Sequence, residues 1–322
     1  MNFKSIPSTQ FFEGYCIIRN IEQRTTSKGS QYLDMTLADT DGEIVAKLWD
    51  YHESAQFSFS QFDFVKVRGS YVTFNDSQQF RVDKIRKVTP DDDVNIDDYV
   101  PSAVLSGEVM LLEIGKIVSS FEDEELKRLV TAVIGKYKDK LIYWPAAKNL
   151  HHAVRSGLLM HTLTILRMAY SLCQIYSYVN YDLLCAGIIL HDILKIEELD
   201  SNESGIGGDY TVKGNLIGHL VMGAIEIDEM GKELGISDET LMLLEHMLIS
   251  HHGIPEFGAA KYPMFIEAFV LAALDDMDAK LYEISNALEN VEAGKFSGKQ
   301  WALDNRILYN HGRSNEGNIT LL

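Results

Sequence analysis

The sequence predicts a multidomain α+β chain, an N-terminal all-β barrel followed by an all-helical bundle, and three observations carry that expectation. Residues 1–90 alternate apolar and polar positions between Gly and Asp-Gly turns. Residues from 102 onward carry apolar stripes at i, i+3, i+4 spacing, and a proline-bounded acidic run separates the two textures. A length of 322 residues with 46% hydrophobic content is enough for two separate cores.

In the first part, Leu33, Met35 and Leu37 face one way while Tyr32, Asp34 and Thr36 face the other. Asp39-Thr40-Asp41-Gly42 turns the chain into Glu43 to Trp49, where Ile44, Ala46 and Leu48 oppose Val45, Lys47 and Trp49, a hairpin. Further strands are expected at 62–67, 69–74 and 79–88. Five short antiparallel strands in this space resemble an OB-fold. Such a fold binds single strands by stacking bases on aromatic rings and tracking phosphates with Lys and Arg. The candidates are Tyr32, Lys47 and Trp49, extended by Phe74 and Phe80, by Arg24 and Lys28 in the first loop, and by Arg81 and Lys84 on the last strand. For any one aromatic, a core or interdomain contact is the alternative.

Residues 91–101 read as an acidic, solvated linker between Pro90 and Pro101. Residues 102–149 read as a helical connector, with Phe121 to Glu125 bringing negative charge to a helix start. A helical bundle is expected over 150–285 and a C-terminal tail, ordered by its aromatics, over 286–322.

The bundle is organised around His191-Asp192, which close the apolar run Leu183 to Leu190. An imidazole and a carboxylate in such a setting must be paired, protonated or bound to metal. Other ligand types reach inward positions on separate helices. His161 shares a stripe with Leu158, Ile165, Met168 and Leu172, His219 follows Leu216 by three residues, and His251 ends the stripe Leu241, Leu244, Leu248. Asp275 lies with Ala268, Leu271 and Asp278 on one helix face. Satisfied core histidines are the alternative reading. His246 is expected to be exposed or supporting, and Asp278 to support a ligand.

Around this set, His151, His152 and Arg155 precede His161 and are expected to contact substrate, by holding a phosphate or protonating a leaving oxygen; a solvent-exposed polar helix end is the alternative. Lys195 lies one turn after His191 on the same face, where its charge would meet a phosphate. The glycine-rich stretch 201–215 leads to His219 as a cap or a simple connection.

The order His161, His191-Asp192, His219, His251-His252, Asp275 resembles the HD-domain metal-dependent phosphohydrolases over residues 150–282. The resemblance implies that His161, His191, Asp192 and Asp275 hold one divalent ion, and Asp192, His219, His251 and His252 a second, with Asp192 bridging. Family members often have Gly two residues after the Asp, and Leu194 stands there. Two metals would activate a water and neutralise phosphoryl oxygens, so no protein nucleophile is needed and Asp192 is central to catalysis. Imidazole with carboxylate suits manganese, then iron, cobalt or zinc, with magnesium less natural.

The barrel placed before Gly157-Leu158-Leu159-Met160-His161-Thr162 and Leu190-His191-Asp192-Ile193-Leu194-Lys195 resembles the YhaM-type 3′-to-5′ exoribonucleases of Gram-positive bacteria over nearly the whole chain. That resemblance implies hydrolysis of single-stranded RNA, or single-stranded DNA, to nucleoside 5′-monophosphates. Two alternatives stay open: an HD nucleotide phosphohydrolase or cyclic-nucleotide phosphodiesterase, and a non-enzymatic single-stranded DNA-binding replication factor. A homo-oligomer, ring or dimer, would gather several barrels at one entrance.

The net charge of −18 excludes indiscriminate binding to nucleic acid, but it is unevenly spread. Residues 1–90 hold 11 basic and 11 acidic side chains, leaving 18 of the 29 basic and 36 of the 47 acidic residues to the remainder. The three cysteines, Cys16, Cys173 and Cys185, are too scattered for a disulfide framework, and no apolar run suits a signal peptide or membrane helix. The expectation is a soluble, cytoplasmic protein without membrane partners.

Overall fold

The structure, a computed structural model, describes residues 11–313 except 41, 53, 55–57, 75–76, 149–151 and 207; the side chains of residues 73, 74, 77, 78 and 257 also fall outside the description. The chain divides into two compact units. One runs to Ser102 and takes in Asn202–Ile206, and the other begins at Ala103.

In the first unit, β1 (Phe11–Thr25), β2 (Gln31–Ala38), β3 (Glu43–Leu48), β4 (Phe64–Phe74) and β5 (Ser77–Lys87) close into a barrel in the order β1-β2-β3-β5-β4. All neighbours are antiparallel except β3 and β5, which run parallel and close the ring. The alternation read from the hairpin holds, with Leu33, Met35, Leu37, Ala46 and Leu48 buried inside. Two expectations change. The segments 62–67 and 69–74 are one strand, because the interruption at Arg68/Gly69 is a register shift, not an end. Gly69 is needed there: a Cβ would lie 2.2 Å from the Arg81 carbonyl oxygen across the sheet. The fifth strand is β1, which pairs with β4 through its first half and β2 through its second. A register shift near Ile18 breaks its alternation, so that Cys16, Ile17 and Ile18 are all buried in succession.

Phe80 is corrected outright. It is fully buried in the barrel core, edge-on to Phe12 and Tyr71 at 5.8 and 5.7 Å, and cannot face a base. The acidic segment after β5 is tied to the barrel at Asp92 and Tyr99, while Asp91, Asp93 and Asp98 are exposed. Asp92 accepts two hydrogen bonds from Arg86 and one from the Tyr15 hydroxyl, and Tyr99 packs on Phe64 at 5.1 Å. The Arg86 guanidinium, with the Thr89 backbone N–H, holds the Asp92 carboxyl well below the usual range.

The second unit is helical: α1 (Gly107–Ser119), α2 (Glu124–Leu141), α3 (Gly157–Ile175), α4 (Tyr181–Leu190), α5 (Lys195–Glu198), α6 (Val212–Ile217), α7 (His219–Leu234), α8 (Asp238–Ser250) and α9 (Ile266–Leu288). The acidic start expected near 121–125 is real: Asp123 caps α2 by accepting from the backbone N–H groups of Glu125 and Leu126. Helices α1 and α2 share one core with the rest, Met110, Ile114, Leu129 and Val133 packing with Leu158, Leu184 and Leu244. Helix α4 is buried on every side from Leu183 to Leu190, which makes it the axis of the unit. Beyond α9, Phe296 packs on Tyr309, but Trp301 is exposed, so strand bridges and buried Leu303 order this stretch. Among the described residues no helix is long and apolar enough to cross a membrane.

Candidate metal centre

His191 and Asp192 leave the end of α4 in the middle of the unit, and the ends and inner faces of α3, α7, α8 and α9 bring the other ligand types to them. On one side of the Asp192 carboxylate, His161 and His191 hold their Nε2 atoms 3.6 and 3.3 Å from Oδ2. Asp275 Oδ1 closes that side at 3.1 Å from His161 Nε2 and 3.9 Å from His191 Nε2. On the other side, Oδ1 lies 3.1 Å from His219 Nε2 and 3.7 Å from His251 Nε2. His252 adjoins this second side, its ring 4.4 Å from that of His251 and 5.4 Å from that of His219.

Each imidazole is held from behind. His161 Nδ1 donates to Asp278 Oδ2 at 2.7 Å, His191 Nδ1 to the Ile188 carbonyl at 2.7 Å, His219 Nδ1 to Glu198 Oε2 at 2.9 Å and His251 Nδ1 to the Leu248 carbonyl at 2.7 Å. Carbonyls and carboxylates accept, so a neutral ring carries its proton on Nδ1 and turns the Nε2 lone pair inward. Among the described residues the buried Nε2 atoms of His191, His219 and His251 and Oδ1 of Asp192 have no hydrogen-bond partner. With the His219 ring neutral, the 3.1 Å between its Nε2 and Asp192 Oδ1 would join two lone pairs, and against burial Asp192 and Glu198 accordingly raise the His219 pKa. Buried lone pairs facing one another are costly unless a cation lies between them, so this donor set fits metal. Among the described residues, four groupings meet the spacing for a shared ion: His161-His191-Asp192, His191-His251-Asp275, His219-His251-His252 and His152-His161-Asp278.

Without metal, the carboxylates draw protons onto the rings instead, which marks the same positions as sites for positive charge. Burial would lower the pKa of His161, but Asp275 and Asp278 outweigh it and hold it up at about 9, so positive charge is favoured at this point. Burial works against ionising Asp192 too, yet His191 and Lys195 keep it well below the ordinary carboxylate range. Asp278, despite burial, is brought down to about 2 by hydrogen bonds with His152 and His161.

Several residues reach the site for reasons other than those read from sequence. His219 does not share a helix with Leu216, which is 80% exposed; α6 stops at Gly218, with φ +77°, and His219 begins α7. Its position is set by Glu198, which accepts from both the His219 backbone N–H and Nδ1. Glu198 was missed. The signal available was its place one turn after Lys195 on the same helix face.

Lys195 does not extend toward a phosphate: it is buried, with Nζ bonded to Asp192 Oδ2 at 2.6 Å, and its carbonyl accepts from Trp144 Nε1. His152 is not a solvent-facing substrate contact either. It is buried, bonds through Nε2 to the Asp278 oxygen that also holds His161, and packs on Tyr282 at 4.1 Å. Arg155 is half-buried with its guanidinium over Tyr143, and His151 lies outside the described residues. His246 Nε2 accepts from the Met264 backbone N–H, away from the ligands.

On the barrel, Tyr32 and Trp49 stack with centroids 4.6 Å apart and planes 28° apart. Lys47 Nζ lies 5.4 and 5.7 Å from the two rings. Arg24 is beside them, paired with Asp34 and Glu22, and Lys28, Arg81 and Lys84 are exposed. The Phe74 side chain lies outside the described residues.

An inward ring of histidines around a His-Asp pair defines the class, and the HD domain family matches residues 158–280. The 3′-5′ exoribonuclease YhaM of Listeria welshimeri is 36% identical over 298 residues, 92% of this chain and 94% of that protein. The protein of the same name from Oceanobacillus iheyensis is 36% identical over 308 residues, 95% and 96% of the two chains. The chain belongs to the YhaM 3′-5′ exoribonuclease family. A solved structure, the second OB-fold domain of replication protein A from Methanococcus maripaludis, is 20% identical and covers 30% of this chain and 100% of its own, with a TM-score of 0.22.

Proposed function

We propose that the protein is a metal-dependent 3′-to-5′ exoribonuclease that releases nucleoside 5′-monophosphates from single-stranded RNA, the barrel holding the strand and the helical unit cutting it. The observation that carries this reading is the convergence of four imidazoles on the two oxygens of Asp192. His161, His191, Asp192 and Asp275 would hold one divalent ion, and Asp192, His219, His251 and His252 another. Manganese is the proposed metal, the nitrogen-rich donor set making magnesium less suitable. When bound, the ions supply a water of lowered pKa and positive charge for phosphoryl oxygens.

The chain's own residues perform the rest. Asp192 presents one oxygen to each half of the site, and Lys195 fixes its orientation while neutralising part of its charge. Asp278 and Glu198 set the tautomer and angle of His161 and His219. His152 acts through Asp278 as a positioning residue. Among the described residues, Arg155 is the basic candidate left for a substrate phosphate. On the barrel, the Tyr32–Trp49 pair with Lys47 offers a base a flat ring and a phosphate a cation.

The test is hydrolysis of 3′-labelled and 5′-labelled single-stranded RNA with manganese, comparing the protein with Asp192→Asn. Label released as mononucleotide at once from the 3′ end, and lost in the variant whose fold is checked by circular dichroism, is the expected result. Turnover of mononucleotides or cyclic nucleotides without RNA would overturn it, as would RNA bound and left intact by both proteins. The same assay on single-stranded DNA sets the sugar preference.

A further inference from the structure

The outer face formed by β1, β4 and β5 carries a cost that the barrel fold does not explain. Across the β4–β5 ladder Lys66 stands opposite Arg86 and Arg68 opposite Lys84, two like-charged rungs that follow one another on the outward face, with the inward Val67–Ile85 rung between them. Directly opposed like charges destabilise a sheet. Two of the four are compensated: Arg86 by Asp92, and Lys66 by Glu13 at 3.4 Å. Glu13 stands opposite Arg68 on β1 but turns to Lys66, and among the described residues no carboxylate lies within ion-pair distance of Arg68 or Lys84. These four cations, with Glu13 and Asp83, line a groove of about 520 Å³. At its margin Phe11 is 67% exposed, and the Arg68 guanidinium lies over its ring at 5.6 Å.

The face is also continuous with the Tyr32–Trp49 platform. Lys47, which lies over both of those rings, pairs across β3–β5 with Arg81, and Arg81 pairs with Ser70, the neighbour of Phe11. Lys47 and Arg81 thus sit on adjoining strands, about 4.8 Å apart, and Ser70 and Phe11 carry the row on to β1. A free phosphate is best held by converging, buried donors; these are exposed and spread along a path. An acidic peptide has charge for the cations, but it offers a flat ring only where an aromatic residue happens to fall, whereas a polynucleotide offers one with every phosphate. A chain of phosphates carrying bases matches both features.

We infer that Phe11, Arg68 and Lys84 form a second contact for the same single-stranded polynucleotide, reached from the Tyr32–Trp49 platform through Arg81, so that long strands engage the barrel on two faces. This rests on the proposed reading of the protein as a single-strand nuclease.

The test uses the full-length protein with EDTA, which withholds the metal that cleavage needs on the proposed reading, and single-stranded RNA in strands of about 4 and about 16 nucleotides, the span of site sizes for one such barrel. Affinity is measured by fluorescence anisotropy across a salt series. Arg68→Gln/Lys84→Gln is expected to weaken the long strand about tenfold and to reduce the slope of log K against log salt by about 1.4, two single-strand phosphate contacts. The loss should grow with strand length, and Phe11→Ala should weaken the long strand without changing the slope. The double variant should melt no lower than the parent, since it relieves repulsion. A charge-matched control, Lys138→Gln/Lys299→Gln on the helical unit, should keep the slope. Three results would overturn the inference while leaving the nuclease reading intact: an unchanged slope, a loss equal at both lengths, or an equal loss in the control. A parent protein that binds neither strand would sink the nuclease reading and this contact with it.

Discussion

Glu198 and His219 are joined twice, the carboxylate accepting from the His219 backbone N–H at 3.1 Å and from its Nδ1 at 2.9 Å. One side chain therefore fixes both the start of α7 and the direction of a ligand lone pair. The acid also sits where the helix dipole favours negative charge.

Glu198→Ala should weaken divalent metal binding by about 10- to 100-fold, the usual effect of losing a ligand's outer partner. Manganese titration by calorimetry reads this directly. Glu198→Gln, which keeps an acceptor, should recover part of the loss. Equal affinity in Glu198→Ala and the parent would remove Glu198 from the site.

His152 and His161 share one oxygen of Asp278, at 2.8 and 2.7 Å. His152→Phe should lower kcat and metal affinity together and leave KM for RNA nearly unchanged. A rise in KM alone would instead make His152 a substrate contact. Asp278→Asn should be the more severe change, since it disturbs both rings.

Trp49→Ala should raise KM for single-stranded RNA by the loss of one stacked base, about 1–3 kcal/mol or roughly 5- to 150-fold. Phe80→Ala should act on the fold instead, costing about 3–5 kcal/mol as a cavity in the barrel core. Denaturant midpoints and KM values for the two variants separate the roles; similar profiles would contradict the burial of Phe80.

Metal should raise thermal stability, because the converging lone pairs exist only in the folded state. Manganese at about 100 times its Kd should add about 2.7 kcal/mol, seen as a higher Tm that a chelator reverses. Asp192→Asn should abolish that rise.

The Asp92 carboxyl titrates below its ordinary value of 3.8, so its contribution to stability is complete above that pH and is lost as pH falls toward the folded value. Asp92→Asn should lower the urea midpoint at pH 7, and the gap from the parent should shrink as pH drops below the ordinary carboxylate range. A gap that persists in acid would mean that hydrogen bonding rather than charge holds the segment.

How far the sequence could be read depended on how local each signal was. The hairpin alternation at 33–48 and the stripe carrying His161 are set by residues within a turn or two, and both were legible. Strand β1 was not, because its register shift puts three successive residues inside and hides the period. His219 was found from a spacing to Leu216 that the break at Gly218 makes irrelevant. Its real partner, Glu198, lies 21 residues away in sequence, beyond any periodicity.

The sequence alone determined the two textures of chain, the inward histidines on separate helices and the central His-Asp pair, because apolar periodicity states which face of an element is buried. Only the tertiary structure decided which ring nitrogen faces the centre, that Lys195 is committed to Asp192, and that Phe80 is core while Trp49 is surface. Those outcomes depend on partners supplied by distant segments. A residue's chemistry is local, but the atom it meets is set by packing.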